Sequence, residues 1–270
     1  MSTPEPSERP TDPVELSVIV PCYNEELNLP ELCERLLATF AVGGFRGEIV
    51  LVDDGSKDGT AAVIRALGAA HPEQVTGCFH GVNRGIAAGW KTGVTAARGK
   101  LCATIDADLQ YQPEDLLRLR RALYEHSVDV VQGWRSVTGR RKDQRYYYSR
   151  GLNHLLNTVF SMRLKDNKSG FVMGSREVLS DVLSYRGSYF YWQSFIMVAA
   201  HAKGYSYREV ETIFEERRQG ISFLEQKALA ASAKSMVDIA VAAWEYRIGR
   251  KPADPATQLV ERHPPPDGKG

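Results

Sequence analysis

Apolar and polar positions along the chain fall into blocks whose period switches between that of a buried strand and that of an amphipathic helix. Leu16-Ser-Val-Ile-Val20 is a β-branched run stopped by Pro21, and residues 31–40 follow with Leu32, Leu36, Leu37 and Phe40 at helical spacing. The pattern repeats with a strand over 48–52, a turn over 53–59 and a helix over 60–67 for which Asp58 is the candidate cap. A third round has a strand at 75–79, a link punctuated by Gly81 and Gly85, and a helix over 87–97 ended by Gly99. A strand at 101–105, a helix at 113–126 and a strand at 128–132 complete the regular half. This alternation predicts an α/β fold with a mostly parallel, doubly wound sheet and a ligand site at the carboxyl ends of its strands.

The second half is less regular. Helices are expected over 145–160, 177–184 and 191–203, the last ended by Gly204, and a strand over 205–214 leads to the basic turn Arg217-Arg218-Gln219-Gly220. Over 224–248 apolar residues recur at helical steps (Leu229, Ala233, Met236, Ala240, Trp244), leaving a narrow polar stripe of Lys227, Lys234, Asp238 and Glu245. So wide an apolar face needs a partner: the protein's own core, another subunit, or a membrane surface.

Composition changes this picture little. The 270 residues are 43% hydrophobic and 25% charged with formal net charge +1, an ordinary globular balance that supplies no global field for nucleic acid. Cys22, Cys33, Cys78 and Cys102 lack C-x-x-C spacing and read as small buried hydrophobes in a reducing compartment. Residues 1–15 lack the apolar core of a signal peptide and read as a solvated tail, as do the proline-rich residues 250–270. The longest stretch without a formal charge, 188–202, is too short to span a bilayer and contains Gln193 and His201. The expected organisation is one domain over 16–222, an amphipathic helical segment over 223–249, and a cytoplasmic location.

The densest chemistry is Asp106-Ala107-Asp108-Leu109-Gln110, placed after the apolar run 101–105 and before Pro113-Glu114-Asp115. Its carboxylates would emerge at the carboxyl edge of the sheet. Two carboxylates two residues apart, with the Gln110 amide, offer hard oxygen ligands to a magnesium- or manganese-type ion that takes its remaining ligands from water and substrate phosphates. A solvated Asp-rich turn has the same composition, so the rest of the chain decides between them.

Three elements stand in order: Val18-Ile-Val-Pro-Cys-Tyr-Asn-Glu-Glu26, Val52-Asp-Asp-Gly-Ser-Lys-Asp-Gly-Thr60 and Asp106-Ala-Asp-Leu-Gln110. Together they resemble the family 2 glycosyltransferases of the GT-A fold, in particular the polyprenyl-phosphate branch similar to dolichol-phosphate mannosyltransferase. The likeness continues through Asn83-Arg-Gly-Ile-Ala-Ala88, Val131-Gln-Gly-Trp-Arg135, Asp166-Asn-Lys-Ser-Gly-Phe171 and Arg217-Arg-Gln-Gly-Ile-Ser222, so it covers about 16–222. The resemblance implies a nucleotide-sugar donor, inverting transfer, and Mg2+ or Mn2+ at the Asp-x-Asp motif. Carried over by position, Pro21, Tyr23, Asn24, Glu25, Gly85 and Ala107 line the nucleotide pocket and Asp53 faces the base or ribose. Asp106 sits by the nucleotide and metal, while Asp108, helped by Gln110, holds the metal. Arg135, Ser169, Arg217 and Ser222 handle the acceptor phosphate. For Asp54, Ser56 and Asp58 the better expectation is turn and capping chemistry.

The chemistry requires charge on the leaving nucleoside diphosphate to be stabilised, which a divalent ion and one or two arginines accomplish without proton transfer. Guanidinium forks at Arg135 and Arg217 suit phosphate oxygens, whereas Arg140, Arg141 and Arg218 read as a solvated basic loop. An acceptor phosphate monoester, with a second pKa of about 6, needs no base; an alcohol would, and Asp166 is the carboxylate that could orient or deprotonate it. The cluster 144–150 mixes cations with aromatics and suits a lipid phosphate, a base-stacking surface or ordinary helix packing. Two departures stand out: many relatives carry Lys where Phe223 stands and Arg where Val172 stands, leaving fewer cations for the acceptor. The expected activity is metal-dependent transfer of a hexose from a GDP- or UDP-sugar to a polyprenyl phosphate at the inner membrane face, with 224–248 as a docking or dimer element. The alternatives are a soluble acceptor or a catalytically silent nucleotide-sugar-binding partner. A nucleotidyltransferase would need a glycine-rich, lysine-bearing loop near the first strand, which Pro21-Cys-Tyr-Asn-Glu25 is not.

Overall fold

The computed structural model describes residues 13–135, 144–215 and 228–248. Four strands and the helices after them form the regular half: β1 (Leu16–Cys22), α1 (Leu29–Gly43), β2 (Gly47–Asp53), α2 (Thr60–Ala70), β3 (Val75–Phe79), α3 (Ile86–Ala96), β4 (Leu101–Thr104) and α4 (Asp115–His126). Then come β5 (Val130–Arg135), α5 (Gln144–Phe160), β6 (Val172–Ser175), α6 (Arg176–Val182), a 3-10 turn (Trp192–Phe195), α7 (Ile196–Ala202), β7 (Tyr207–Thr212) and α8 (Ala228–Ala243). The strands form one seven-stranded sheet in the order β3-β2-β1-β4-β6-β5-β7, parallel throughout except for β6, which runs against both β4 and β5.

Strand periodicity sends alternate residues of β1 into opposite layers. Leu16, Val18 and Val20 pack with Leu32, Leu36 and Phe40 of α1 and with Leu116, Leu119 and Leu123 of α4. Ile19 points the other way, into a core with Trp90 and Val94 of α3 and residues of α5 to α8. The result is a sheet covered on both faces, which is what a parallel sheet requires.

Three expectations are corrected. β1 runs through Pro21 to Cys22. Ile19 bonds toward β4 and Cys22 toward β2, so the missing N–H of Pro21 faces the β4 side, where pairing has already ended at Ile19 and Thr104. The antiparallel β6 was not anticipated, because Val172-Met-Gly-Ser175 is too short and too interrupted to show a period. Finally, α8 and the π-helical turn after it (Trp244–Ile248) send Asp238 and Glu245 of the expected solvent stripe inward, while Lys234 stays exposed and Lys227 lies outside the described residues. Asp238 is fully buried and accepts from the N–H groups of Phe190 (2.8 Å) and Tyr191 (2.7 Å), while Glu245 accepts from those of Arg186 (2.7 Å) and Gly187 (2.8 Å). Ile239, Ala242 and Tyr246 are buried beside them, but Met236 and Trp244 are 55% and 63% exposed. Backbone donors of an irregular loop need acceptors wherever water is excluded, and that need outweighs full burial of the apolar face. Among the described residues no helix is long and apolar enough to cross a membrane.

Candidate active site

The carboxyl ends of β1, β2 and β4 converge. Two turns leaving β1 and β2 are laced together: Asn24 N–H donates to Ser56 Oγ (3.0 Å), Lys57 N–H to Asn24 Oδ1 (2.8 Å), Glu25 N–H to Thr60 Oγ1 (2.8 Å) and Gly59 N–H to Glu26 Oε2 (2.6 Å). Asp58 takes the N–H and hydroxyl of Thr60 (3.0 and 2.6 Å), so Ser56 and Asp58 perform turn and capping work. Asn24 and the buried Glu25, which accepts from Asn28 Nδ2 (2.6 Å), are likewise engaged in shaping these turns. Asp53 is buried at the end of β2 and accepts from Ser56 N–H (3.0 Å), while Tyr23 stands exposed. Pro21 meets Gly89 of α3, where an added Cβ would lie 2.9 Å from the proline Cβ, so the first turn of α3 sits beside the end of β1. Gly85 precedes that helix at φ +87°, a conformation that glycine alone adopts freely.

The acidic turn follows β4. Ala107 and Leu109 are buried and Leu109 sits at φ +59°, a conformation costing an apolar residue about 1–3 kcal/mol that recurs where a turn must aim side chains. Asp108 accepts from Gln110 N–H (3.2 Å). Gln110 turns its amide Nε2 to the Glu215 carbonyl (3.1 Å) and so braces the turn, with Arg35 of α1 reaching Gln112 (2.5 Å) and Glu114 (2.6 Å) behind it. Among the described residues no group of three His, Cys, Asp or Glu could cage a metal. A two-carboxylate turn fits an ion of the magnesium type, which is held by one or two carboxylates together with water and substrate phosphates.

A second cluster faces it from β5. Arg135 forks onto Asp166, Nε to Oδ2 at 2.6 Å and Nη2 to Oδ1 at 2.9 Å, with the guanidinium over the Phe214 ring at 5.2 Å. Burial works to raise the Asp166 pKa, but the Arg135 charge, its two hydrogen bonds and the Lys168 N–H outweigh it and hold the carboxyl below the usual range. Burial disfavours the Arg135 charge too, yet Tyr111 and Asp166 leave its pKa raised. Beside the pair opens a cavity of about 460 Å³ lined by Trp134, Ser149, Arg150, His154 and Lys165 among others.

Ser169, expected to handle the acceptor phosphate, lies beneath this cluster. Its side chain is 0% exposed and its hydroxyl accepts from Tyr111 Oη (2.8 Å), so it holds the loop from within. Sequence reasoning also missed the residues that suspend this loop: Asn153 and Asn157 of α5 donate to the Leu164 carbonyl (2.9 and 2.8 Å), and Glu209 accepts from the N–H groups of Lys165 (2.8 Å) and Asp166 (3.1 Å). Two asparagines at i, i+4 on a helix are the signal that was available, since that spacing puts both on one face. Arg217 and Ser222 lie outside the described residues, as do Arg140, Arg141, Arg218 and Phe223.

The family model for glycosyl transferase family 2 matches residues 17–183. Similar curated proteins include an undecaprenyl-phosphate 4-deoxy-4-formamido-L-arabinose transferase of Shewanella sediminis, 32% identical over 77% of this chain and 61% of the relative. A dodecaprenyl-phosphate galacturonate synthase of Rhizobium johnstonii is 34% identical over 61% of this chain and 50% of its own length. The chain thus spans between half and about three fifths of these two relatives. Among solved structures, glucosyl-3-phosphoglycerate synthase of Mycobacterium tuberculosis, in complex with Mn2+, UDP and phosphoglyceric acid, superposes with a TM-score of 0.65 at 17% identity, covering 85% of this chain and 78% of that one. A mannosyltransferase of Pyrobaculum calidifontis, in complex with GDP-mannose and Mn2+, gives 0.59 at 19% identity over 92% and 70%. These two likenesses speak for the fold alone, and it is the family match, laid over the acidic turn and the paired strand ends, that decides kinship: the chain belongs to glycosyl transferase family 2.

Proposed function

We propose that the protein transfers a sugar from a nucleoside diphosphate donor to the phosphate of a polyprenyl phosphate. The observation that carries the acceptor half is the Arg135–Asp166 fork beside a cavity bearing Arg150, His154 and Lys165. A carboxylate held below its usual range by a bidentate arginine is a poor general base, so the geometry suits an acceptor that is already anionic. Asp166 orients Arg135, and Arg135 with the cavity cations receives the acceptor phosphate. On the donor side Asp53 would accept from ribose or base, and Asp106 and Asp108 would hold Mg2+ or Mn2+. When bound, that ion supplies charge stabilisation for the departing diphosphate. Both of these curated relatives are named for polyprenyl phosphates, which supports the lipid class; a lipid acceptor would be met at the inner membrane face. The outward Met236 and Val237 of α8 and Trp244 of the turn after it offer a peripheral membrane contact there.

Calorimetry of UDP and GDP, each with Mn2+ and with EDTA, tests the donor half: one nucleotide should bind, and only with metal. Release of that nucleotide from its sugar conjugate should then depend on added polyprenyl phosphate and not on the corresponding alcohol. Equal turnover on a water-soluble phosphate would replace the lipid, and binding without turnover would leave a silent nucleotide-sugar-binding partner.

A further inference from the structure

A buried histidine behind the donor-side carboxylates has no part in the transfer chemistry above. His80 follows β3 and is 8% exposed; its Nδ1 lies 2.7 Å from Asp54 Oδ1 and its Nε2 2.9 Å from Thr92 Oγ1 on α3. Its backbone N–H donates to the Asp53 carbonyl (2.8 Å). Asp54, 3% exposed, accepts two more bonds, from Arg84 N–H to Oδ1 and from Gly85 N–H to Oδ2, each 2.8 Å. The intervening loop folds over Gly55, where an added Cβ would lie 2.6 Å from the Val82 carbonyl carbon, and then enters α3 beside Pro21. The Arg84 side chain is exposed at that rim.

We infer that His80 is a positioning residue for donor binding. It grips Asp54 through Nδ1 and α3 through Thr92, and Asp54 in turn fixes the backbone of Arg84 and Gly85 at the rim of the nucleotide pocket. Because a buried carboxylate is anchored by the number and direction of its donors, losing the Nδ1 bond frees Asp54 to turn and releases the two loop N–H groups. The inference rests on the donor reading of the preceding subsection.

The test compares His80→Asn, whose amide nitrogen replaces Nδ1, with His80→Gln, which reaches Thr92 instead, and with Thr92→Val, which leaves the Asp54 contact intact. Two quantities are read in the full chain: hydrogen exchange at the Arg84 and Gly85 amides without ligand, and the affinity of UDP and GDP with Mn2+. His80→Gln should speed exchange at both amides and weaken nucleotide binding by about tenfold. His80→Asn and Thr92→Val should stay near wild type, even where their melting temperatures fall as far as that of His80→Gln. A merely structural role would make affinity follow melting temperature across the three. That result, or unchanged exchange in His80→Gln, overturns the inference, as does faster exchange with unaltered affinity. If the wild type binds neither nucleotide, the donor reading fails and the positioning role falls with it, whereas the exchange data report on the His80–Asp54 tie by themselves.

Discussion

On the carboxyl of Asp166 two effects oppose each other, burial favouring the neutral acid and the Arg135 fork favouring the anion, and the fork wins. The native pKa is therefore below the unfolded one, so the pair contributes stability that is present above the unfolded carboxylate pKa and is lost as pH falls through the native value. Asp166→Asn should lower stability at pH 7 by about 2 kcal/mol, less than full removal of a buried ionic partner because the amide still accepts from Arg135. Denaturant melts from pH 7 down to pH 3 should show the gap between variant and wild type closing on the acid side. The rate carries a separate signature. With no base at Asp166, the acid limb of kcat/KM should follow the acceptor phosphate near its second pKa of about 6, and a limb in the ordinary carboxylate range would return Asp166 to the role of base.

Elements differ in how much of their packing a sequence discloses, and α8 marks the boundary. The helical period of α8 and the turn after it was legible from Met236, Ala240 and Trp244, yet Asp238 and Glu245 turn inward, since their partners are N–H groups of the loop at 186–191. Nothing in the period of a helix registers the unmet donors of a loop some 50 residues away. Asp238→Ala should therefore destabilise the protein by about 2–3 kcal/mol, leaving two N–H groups without acceptors, whereas Trp244→Ser on the exposed side should stay within about 0.5 kcal/mol. Equal melting temperatures for the two variants would contradict the inverted face. The strands and helices before residue 133 were legible from a period or, for β4, from the unbroken apolar run that continues into Ile105. β6, of the same length, was not, since Gly174 and Ser175 interrupt its run and it owes its conformation to β4 and β5 on either side. The acidic turn was legible by motif and the Asn153–Asn157 pair only as a shared helix face, whereas Glu209 was not legible, because it acts on the backbone of a loop 44 residues away.

Across the whole molecule the site depends on segments far apart in sequence meeting at one residue without a side chain. Thr104 at the end of β4 donates to the Gly170 carbonyl (2.5 Å), Gln132 of β5 to the Ser169 carbonyl (3.0 Å) and Tyr111 to the Ser169 hydroxyl (2.8 Å), so the loop that carries Asp166 is tied to the turn that carries Asp106 and Asp108. Gly170 closes this junction: an added Cβ would lie 2.8 Å from Cζ2 of the fully buried Trp90 and 3.6 Å from Asp106 Oδ1. A buried indole has no flexible end to give way, so the loop must shift off Trp90 and strain the hydrogen bonds that tie it to the acidic turn. Gly170→Ala should cost about 1–3 kcal/mol of stability and weaken metal-dependent nucleotide binding, because a loop displaced from Trp90 pulls on its ties to the turn that carries Asp106. Gly151→Ala provides the contrast: nothing lies within 4 Å of its added Cβ, and alanine inside α5 should stabilise by about 0.5–1 kcal/mol with binding unchanged. Calorimetry of both variants with Mn2+ and the bound nucleotide decides whether the loop and the acidic turn act as one unit. If Gly170→Ala melted lower yet bound nucleotide as the wild type does, the junction would serve the fold alone, and the two halves of the site would be independent.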